Sequence, residues 1–294
     1  MTYKSGFVSI VGRPNVGKST LVNYFAGQKV AITSVRPQTT RNRIKTIYST
    51  DEGQIIFIDT PGVHRPKNKL DKFMLREVYE SLDGIDVVLF MVEATFPPGK
   101  GDRYIKKQLQ NIEIPVLGIM NKIDEVNNKQ LVQRQKKYSQ HMGLDVIPIS
   151  ARTGRNIDTL VEKILELLPE GPQYYPEDMV TDRLEQFVIS EFVREKVFQL
   201  TRQEIPYGVA VVIEEYKERE NGKLFIRANI YVEKKSHKGI IIGKNGRLIK
   251  EVGRRARRDV EKLLNQEIYL DLWVKVQKDW REDENLLKRM GYKA

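Results

Sequence analysis

A loop near the amino terminus has the residue types and spacing that bind phosphate. Gly12, Gly17, Lys18 and Ser19 fit the pattern G-x-x-x-x-G-K-[ST] between a strand-like run and a helical one. Glycines let backbone N–H groups turn toward phosphate oxygens, a lysine adds positive charge, and a serine hydroxyl can bind Mg²⁺. The predicted nucleotide contacts of this loop are Gly12, Arg13, Pro14, Asn15, Val16, Gly17, Lys18, Ser19 and Thr20.

A second motif, with the sequence DTPG, follows an apolar run that predicts a strand at 54–58. Its Asp59 would end that strand, where a carboxylate can hold Mg²⁺ beside a phosphate loop. Gly62 has no Cβ and can therefore bring its backbone N–H close to a γ-phosphate. The pattern is common by itself, so its weight comes from the loop upstream. The predicted contacts are Asp59, Thr60, Pro61 and Gly62.

Two later motifs predict that the nucleotide base is guanine. The sequence NKID at 121–124 and the sequence SAR at 150–152 each follow a predicted strand. Asp124 can accept hydrogen bonds from N1–H and the 2-amino group of guanine, a pair that adenine does not offer. Asn121 would brace neighbouring loops, and the stem of Lys122 would lie over the base. The predicted base contacts are Asn121, Lys122, Asp124, Ser150, Ala151 and Arg152.

The elements around these motifs alternate regularly between strand and helix. The predicted elements are helix 69–82, strand 87–92, helix 103–110, strand 116–120, helix 129–141, strand 146–149 and helix 157–168. Such alternation predicts an α/β fold with a mostly parallel sheet covered on both faces. Ligands of these sheets bind at the carboxyl ends of the strands, where all of the motifs fall.

These motifs, in this order, resemble those of the translation-factor-type GTPases and, within them, the Era family. The resemblance implies a P-loop domain that binds GTP, GDP and Mg²⁺, with Ser19, Asp59 and a threonine at the metal. That threonine is Thr40 or its neighbour Thr39, and it would close on the metal and the γ-phosphate. The resemblance also implies nucleotide-controlled switch segments at 33–44 and 63–69. The residues expected to act in hydrolysis are Lys18, Thr40 and Gly62.

The residue after the DTPG motif departs from the Ras-like pattern, because Val63 stands where those enzymes carry a glutamine that orients the attacking water. Intrinsic hydrolysis is therefore expected to be slow, or to be helped by another group. Asn15 resembles the asparagine with which related GTPases bind a monovalent cation. It either holds K⁺ at the phosphates or only shapes the loop, and both alternatives stay open.

Length and composition favour a second domain with an anionic partner. The chain has 294 residues and a formal net charge of +11, which points to nucleic acid. It has no cysteine, which excludes disulfides and thiolate chemistry and fits a reducing cytoplasm. A stretch rich in proline and glycine at 169–176 predicts a boundary. The predicted domains are 1–171 for nucleotide binding, a linker at 172–180, and 181–294 with a carboxy-terminal helix.

A G-x-x-G loop at 243–246 lies in the second predicted domain, between two short helical segments. The helix that follows has an apolar stripe and a strongly basic outer face, opposed within the basic run only by Glu251. The order of elements resembles a KH domain of the prokaryotic type, type II, a smaller α+β fold that binds single-stranded RNA. The predicted RNA contacts are Lys238, Gly239, Ile242, Gly243, Lys244, Asn245, Gly246, Arg247, Lys250, Arg254, Arg257 and Arg258.

Aromatic and histidine residues give weaker signals in this half of the chain. Trp273 and Trp280 can each stack on a base, but Trp273 lies in a predicted strand, which favours packing in the core. The three histidines have no metal-like spacing and are expected at the surface, with His237 as a possible phosphate contact.

A GTPase domain followed by such a KH domain is the arrangement of the Era family. That resemblance implies a cytoplasmic monomer that binds the 3′ region of 16S rRNA and acts in assembly of the 30S subunit. It also implies loose peripheral association with the cell membrane. Two alternatives remain: an RNA-binding assembly factor with little catalytic turnover, which Val63 keeps open, and an ATP-dependent RNA remodeller, which the NKID motif disfavours.

Overall fold

The structure is a computed structural model, and it describes residues 2–33, 39–62, 66–110, 112–220 and 222–292. The chain divides into two compact units. The first unit comprises Met1–Arg65 and Met74–Asp182, and the second comprises Pro66–Phe73 and Arg183–Ala294.

The first unit alternates strands with helices, as the sequence predicts. Its strands are β1 (Lys4–Gly12), β2 (Ile44–Thr50), β3 (Gly53–Asp59), β4 (Val87–Glu93), β5 (Val116–Asn121) and β6 (Val146–Pro148). Its helices are α1 (Lys18–Phe25), α2 (Lys69–Glu80), α3 (Lys100–Leu109), α4 (Asn128–Met142) and α5 (Ile157–Leu167), where the first residues of α2 belong to the second unit.

The sheet of the first unit has the strand order β2-β3-β1-β4-β5-β6. Neighbouring strands are parallel except for β2 and β3, which form a hairpin. Every residue of β3 and β4 is buried, because helices cover both faces of the sheet; this is why these strands read as continuous apolar runs. The carboxyl ends of β1, β3 and β5 consequently share one edge, and the predicted nucleotide motifs follow these ends.

The second unit combines helices with a three-stranded sheet. Its elements are α6 (Glu185–Leu200), β7 (Ala210–Glu218), β8 (Leu224–Val232), α7 (Lys235–Ile242), α8 (Arg247–Leu264), β9 (Ile268–Val276) and α9 (Glu284–Arg289). The strand order is β7-β8-β9, with β7 antiparallel and β9 parallel to β8. Val197, Ile230, Ile241, Val252 and Ala256 bring α6, β8, α7 and α8 into one core, so these helices cover one face of the sheet.

Residues 66–73 pack with the carboxy-terminal part of the second unit. The rings of Phe73 and Tyr292 lie 5.7 Å apart in an edge-to-face contact. Lys69 Nζ lies 3.1 Å from Glu284 Oε1. Tyr292 also stacks on Trp280, with 5.8 Å between the ring centroids. These contacts place the start of α2 in the second unit, although α2 continues into the first.

The segment that the sequence predicts as a linker lies along the first unit. Ser5 Oγ donates to the Pro172 carbonyl at 2.6 Å, and Gln54 Nε2 donates to the Tyr175 carbonyl at 2.9 Å. The Ile47 N–H donates to the Val180 carbonyl at 2.9 Å. Residues up to Asp182 accordingly belong to the first unit.

Two expectations about single residues are wrong. Trp273 lies outside the core with 55% of its surface exposed, while Trp280 is fully buried and its Nε1 donates to the Gly208 carbonyl at 3.0 Å. The sequence predicted a strand at this position correctly, but alternation sends Trp273 to the face away from the helices. His237 is buried rather than at the surface, because it lies one helical turn before the core residue Ile241 on α7. His64 lies outside the described residues.

Among the described residues, none of the helices combines the length and the apolar character that crossing a bilayer requires.

Candidate functional site

The phosphate loop connects β1 to α1 and leaves backbone N–H groups at its centre. Asn15 and Gly17 have positive φ values of 66° and 107°, which curl the loop. Gly17 is the residue before α1, and a side chain there would collide with the amide of Asn121. The first N–H groups of a helix have no partner within the helix, and together with the positive dipole end of α1 they suit an anion at this place.

Lys18 is buried at the centre of the loop. Its Nζ donates to the carbonyls of Gly12 and Arg13 at 3.2 and 3.1 Å. Burial lowers the pKa of Lys18 to about 8, against the charge of Asp59, which raises it. A bound phosphate would place a negative charge beside this ammonium group and so stabilise its charged form.

Three oxygen-bearing side chains meet beside Lys18. Ser19 Oγ donates to Asp59 Oδ2 at 2.8 Å and lies 2.9 Å from Thr40 Oγ1. Thr40 Oγ1 also lies 3.3 Å from the same carboxylate oxygen, so the Thr40 hydroxyl belongs to this cluster.

The chemistry of this cluster fits Mg²⁺. The other carboxylate oxygen, Asp59 Oδ1, is buried and has no hydrogen-bond partner among the described residues. Burial raises the pKa of Asp59, although the charge of Lys18 and the hydrogen bonds lower it. Mg²⁺ prefers oxygen ligands, and an unsatisfied buried carboxylate oxygen is costly without one. The donor set therefore suits a hard divalent cation.

Two further residues of the DTPG motif, Thr60 and Gly62, contact β1 and the phosphate loop. Thr60 Oγ1 donates to the Ile10 carbonyl at 2.7 Å, so this hydroxyl holds the sheet rather than pointing to a ligand. A Cβ on Gly62 would lie 2.8 Å from Pro14 Cα, which explains why glycine is required where the motif passes the phosphate loop. Val16 is fully buried and contributes its backbone rather than its side chain.

Asn121 connects the phosphate loop to the base loops, as the sequence predicted. Its Nδ2 donates to the Val16 carbonyl at 2.9 Å, and its Oδ1 accepts from the Ala151 N–H at 2.9 Å. Asp124 Oδ1 accepts from Ser150 Oγ at 2.6 Å, and Arg152 contacts the other carboxylate oxygen. Burial alone would raise the pKa of Asp124, but these partners lower it, so the group remains an anionic acceptor.

An ionic network that the sequence analysis missed links the two loops. Arg13 Nε lies 2.7 Å from Asp102 Oδ1 on α3, and Arg13 Nη2 lies 3.4 Å from Glu93 Oε1 at the end of β4. Glu93 Oε2 also lies 2.6 Å from Lys122 Nζ. Glu93 is a carboxylate at the end of a buried strand, the same signal that identified Asp59, and could have been found in that way.

The predicted switch segments are described only in part. Residues 34–38 of the first segment and residues 63–65 of the second, which include Val63, lie outside the described residues.

The G-x-x-G loop of the second unit projects between α7 and α8. Gly243, Asn245 and Gly246 have φ values of 72°, 53° and 73°, and Lys244 and Asn245 are exposed. Positive φ values are easily adopted by glycine, so the chain can turn here and present its backbone. Lys238 and Gly239 are exposed on α7, and Ile242 is half-buried at the end of that helix.

Helix α8 separates an apolar stripe from a basic face. Val252, Ala256 and Val260 are buried, while the predicted RNA contacts of this helix, which are Arg247, Lys250, Arg254, Arg257 and Arg258, are exposed. Glu251 neutralises part of the charge, since its carboxylate lies 2.7 Å from Arg254 Nη2 and 2.6 Å from Arg255 Nε. These hydrogen bonds hold the pKa of Glu251 at about 2.

A groove of about 560 Å³ lies between α8 and the edge strand β9. Apolar side chains and basic residues share its lining, which comprises Ile249, Lys250, Gly253, Arg254, Arg257, Tyr269, Leu270, Asp271 and Leu272. This combination can take an unpaired base against apolar surface and phosphates against cations. The sequence predicted contacts on α8 but none on β9. The pairing of β9 with β8 in the sheet brings β9 beside α8, and a local sequence pattern does not show that pairing.

Comparison with known proteins agrees with both halves of this description. Residues 7–122 match the family described as 50S ribosome-binding GTPase, and residues 204–281 match the KH domain family. GTPase Era of Halothermothrix orenii is 62% identical over 294 residues, which is 100% of each chain. GTPase Era of Carboxydothermus hydrogenoformans is 53% identical, over 99% of each chain.

Solved structures of Era superpose on this chain. Era in complex with MgGDPNP and nucleotides 1506–1542 of 16S ribosomal RNA has a TM-score of 0.96 at 41% identity, over 99% of this chain and 100% of that one. A variant of Aquifex aeolicus Era bound to GDP and AlF₄⁻ has a TM-score of 0.95 at 41% identity, with the same coverage. The predicted fold class, a P-loop GTPase domain followed by a KH domain, is confirmed. With close relatives that match along its whole length, this chain belongs to the GTPase Era family.

Proposed function

We propose that this GTPase is a molecular switch that binds the 3′ region of 16S rRNA through its KH domain and acts in assembly of the 30S subunit. The observation that carries the proposal is the groove between α8 and β9, which combines apolar lining with exposed cations next to a G-x-x-G loop. The solved complex of Era with nucleotides 1506–1542 of 16S ribosomal RNA supports the choice of RNA. The domain bounds proposed are 1–171, a linker at 172–180, and 181–294.

We propose that the nucleotide is held by residues of the phosphate loop, the DTPG motif and the two base loops. Ser19, Thr40 and Asp59 would hold Mg²⁺, which supplies positive charge to the phosphates when bound. Lys18 and the N–H groups of the loop bind phosphate, and the backbone N–H of Gly62 meets the γ-phosphate. Asp124 reads guanine, with Ser150 and Arg152 keeping its carboxylate anionic.

Hydrolysis is proposed to be slow and stimulated by K⁺. Val63 cannot orient a water molecule, and a monovalent cation at the phosphates would add positive charge that stabilises the transition state. Asn15 supports this proposal by its place in the curled part of the loop, with a φ of 66°. Turnover of GTP should be faster in potassium than in sodium buffer, and Asn15→Ala should remove the difference. Equal rates of the wild-type protein in the two buffers would overturn the proposal.

Nucleotide state and RNA binding are proposed to be linked through α2. This helix begins shortly after the DTPG motif, and its residues 69–73 belong to the second unit while residues 74–80 belong to the first. The segment after Gly62 thus leads along the chain directly into residues of the RNA-binding unit. A change in that segment can therefore be passed on to them. Linkage is reciprocal, so a nucleotide that tightens RNA binding must itself be bound more tightly when RNA is present.

The experiment measures RNA affinity by fluorescence anisotropy with GDP and with GDPNP, and nucleotide affinity with and without RNA. We expect a shift of about 5- to 150-fold, of equal size in both directions. Equal RNA affinity with both nucleotides would remove the switch and leave an RNA-binding assembly factor. Competition by ATP as effective as that by GTP would instead favour the ATP-dependent remodeller.

The place of action is proposed from the resemblance to the family. We propose a cytoplasmic monomer, with loose peripheral association at the cell membrane. The cysteine-free composition supports a reducing compartment. Cell fractionation at low and high salt tests the membrane association, since a loosely bound protein leaves the membrane fraction at high salt.

A further inference from the structure

The face of the KH sheet that the helices do not cover carries exposed aromatic rings. On β9, Tyr269 and Trp273 lie on this face, and each has 55% of its surface exposed. Phe225 is the strand partner of Tyr269 on β8, and their rings are stacked with 5.6 Å between the centroids. We call this surface the outer aromatic face; Arg219, Tyr269 and Trp273 form it, and Phe225 is buried beneath them.

The Trp273 ring of the outer aromatic face is held in place by polar contacts around it. Trp273 Nε1 donates to Asp271 Oδ2 at 2.9 Å, and Arg227 Nε donates to the same oxygen at 2.8 Å. Arg227 Nη1 also donates to Glu215 Oε1 at 2.7 Å. The indole edge is therefore fixed while much of the ring stays exposed, so a stacking partner meets a surface that is already ordered.

Cations lie beside the rings. The guanidinium of Arg219 lies 4.0 Å from the centroid of the Phe225 ring and 5.3 Å from that of Tyr269. Among the ion pairs that the described residues of the second unit form, none involves Arg219. Exposed aromatic rings next to a guanidinium that forms no ion pair are the elements with which sheet surfaces bind unpaired bases and phosphates.

The outer aromatic face is continuous with the groove. β9 is the edge strand of the sheet, and the groove lining includes Tyr269 and Asp271, which face outward, as well as Leu270 and Leu272, which face the helices. A strand of RNA that leaves the groove across β9 would meet Tyr269 first. Trp273 follows four residues later, about 13 Å along the strand at the usual rise per residue.

We propose that the outer aromatic face is a second RNA-binding surface, which stacks unpaired bases that flank the segment in the groove. Tyr269 and Trp273 each stack on one base, and Arg219 contacts a phosphate. This inference rests on the proposed RNA-binding function. It extends the site from the groove to the opposite side of the sheet, and it takes single-stranded RNA rather than a duplex, because stacking on a ring requires a free base face.

The two tryptophans make the test direct. The chain contains two, of which Trp280 is fully buried, so Trp280→Phe in the full-length protein leaves Trp273 as the single fluorophore. One RNA of about six nucleotides, from the 3′ region of 16S rRNA, fills the groove; a second carries about six more unpaired nucleotides on each side. Fluorescence of Trp273, its protection from acrylamide and RNA affinity are measured with both.

The longer RNA is expected to quench and protect Trp273 and to bind about 5- to 50-fold more tightly than the short one. Trp273→Ala in the otherwise wild-type protein should remove this gain and leave affinity for the short RNA unchanged, while Trp273→Phe should retain most of it. Phe96→Ala is the matched control, since Phe96 is an exposed aromatic residue of the first unit. Circular dichroism verifies that each variant folds.

Other outcomes separate this inference from the proposed function. If the longer RNA binds no more tightly, or equally tightly to Trp273→Ala, the outer aromatic face is not an RNA site. Protection of Trp273 by small-subunit ribosomal proteins and not by the longer RNA would make it a protein-docking face and overturn the proposal. If the short RNA fails to bind while the longer one still quenches Trp273, the groove loses its proposed role and the outer aromatic face keeps its own.

Discussion

At the scale of single residues, the nucleotide site contains charges that the fold alone does not favour. Burial lowers the pKa of Lys18 to about 8 and raises the pKa of Asp59. Both shifts mean that the charged form of the side chain is less stable in the folded chain than in water. A phosphate beside Lys18 and a metal beside Asp59 would remove these costs. The site therefore lowers the stability of the nucleotide-free protein and favours the binding of nucleotide and metal.

Replacing the buried lysine is expected to stabilise the nucleotide-free protein. Lys18→Met should raise the free energy of unfolding by about 1–3 kcal/mol at neutral pH while abolishing nucleotide binding. Because the folded-state pKa of about 8 lies below the unfolded value of 10.5, the wild-type protein gains stability as pH rises between these values. The advantage of the variant should therefore shrink above pH 8.

Urea unfolding at about pH 7 and pH 9.5 measures this difference. Lys136→Met, at an exposed position of α4, is the control and should change stability little. A variant that is less stable than the wild-type protein at pH 7 would show that the hydrogen bonds of Lys18 to the carbonyls of Gly12 and Arg13 outweigh its desolvation.

The carboxylate of Asp124 is predicted to decide the choice of base. In Asp124→Asn one acceptor oxygen becomes an NH₂ donor, which opposes the N1–H and 2-amino donors of guanine and suits the carbonyl at position 2 of xanthine. Affinity for GTP should fall by about 100-fold or more, and affinity for XTP should rise. Competition against a fluorescent nucleotide measures both, with Asp145→Asn at an exposed position as control. An unchanged preference for guanine would refute this assignment.

At the scale of elements, separate loops are joined by side chains from helices and strands behind them. Asp102 on α3 is fully buried and accepts from Arg13 Nε at 2.7 Å and from the Gly99 N–H at 2.8 Å. Glu93 at the end of β4 contacts both Arg13 and Lys122. The phosphate loop and the base loop are consequently linked by Asp102 and Glu93, which are not themselves predicted nucleotide contacts.

On α8, Glu251 is predicted to weaken RNA binding by neutralising neighbouring arginines. Its pKa of about 2 keeps it charged throughout the physiological range. Glu251→Gln should release the charge of Arg254 and Arg255 and tighten RNA binding about 2- to 10-fold, with a steeper dependence on salt. Anisotropy titrations measure the change, and Glu162→Gln on α5 is the control. Weaker binding by Glu251→Gln would mean that its ion pairs orient Arg254 for the groove.

At the scale of the whole molecule, the chain has a net charge of +11, and its two predicted anion-binding sites differ in how exposed their charged side chains are. The nucleotide contacts include buried side chains, whereas the basic residues of α8 are exposed. Exposed charges are screened by salt far more strongly than buried ones. The two proposed anion-binding sites should therefore differ in their response to ionic strength.

Affinity for RNA should fall roughly 10- to 100-fold between 50 and 200 mM sodium chloride, as expected when about three to five phosphates are contacted. Affinity for GDP with saturating Mg²⁺ should change several-fold less over the same range. Parallel titrations with labelled RNA and labelled GDP measure both slopes. An RNA affinity that is insensitive to salt would mean that apolar contacts, and not the basic face of α8, dominate binding.

The sequence by itself determined the alternating α/β fold, the phosphate loop, the guanine-reading motifs and the KH domain with its basic helix. These features could be predicted because each depends on residues that are close in the chain. A G-x-x-x-x-G-K-[ST] loop builds its own anion site, and the stripe of Val252, Ala256 and Val260 fixes which face of α8 is buried.

Only the tertiary structure decided which distant residues meet. It placed the hydroxyl of Thr40 beside Ser19 and Asp59, joined Arg13 to Asp102, and made β9 a wall of the groove. It also sent Trp273 out of the core. A strand places successive side chains on opposite faces, and which face is covered depends on helices from elsewhere in the chain, so local pattern could identify the strand but not the exposure of its tryptophan.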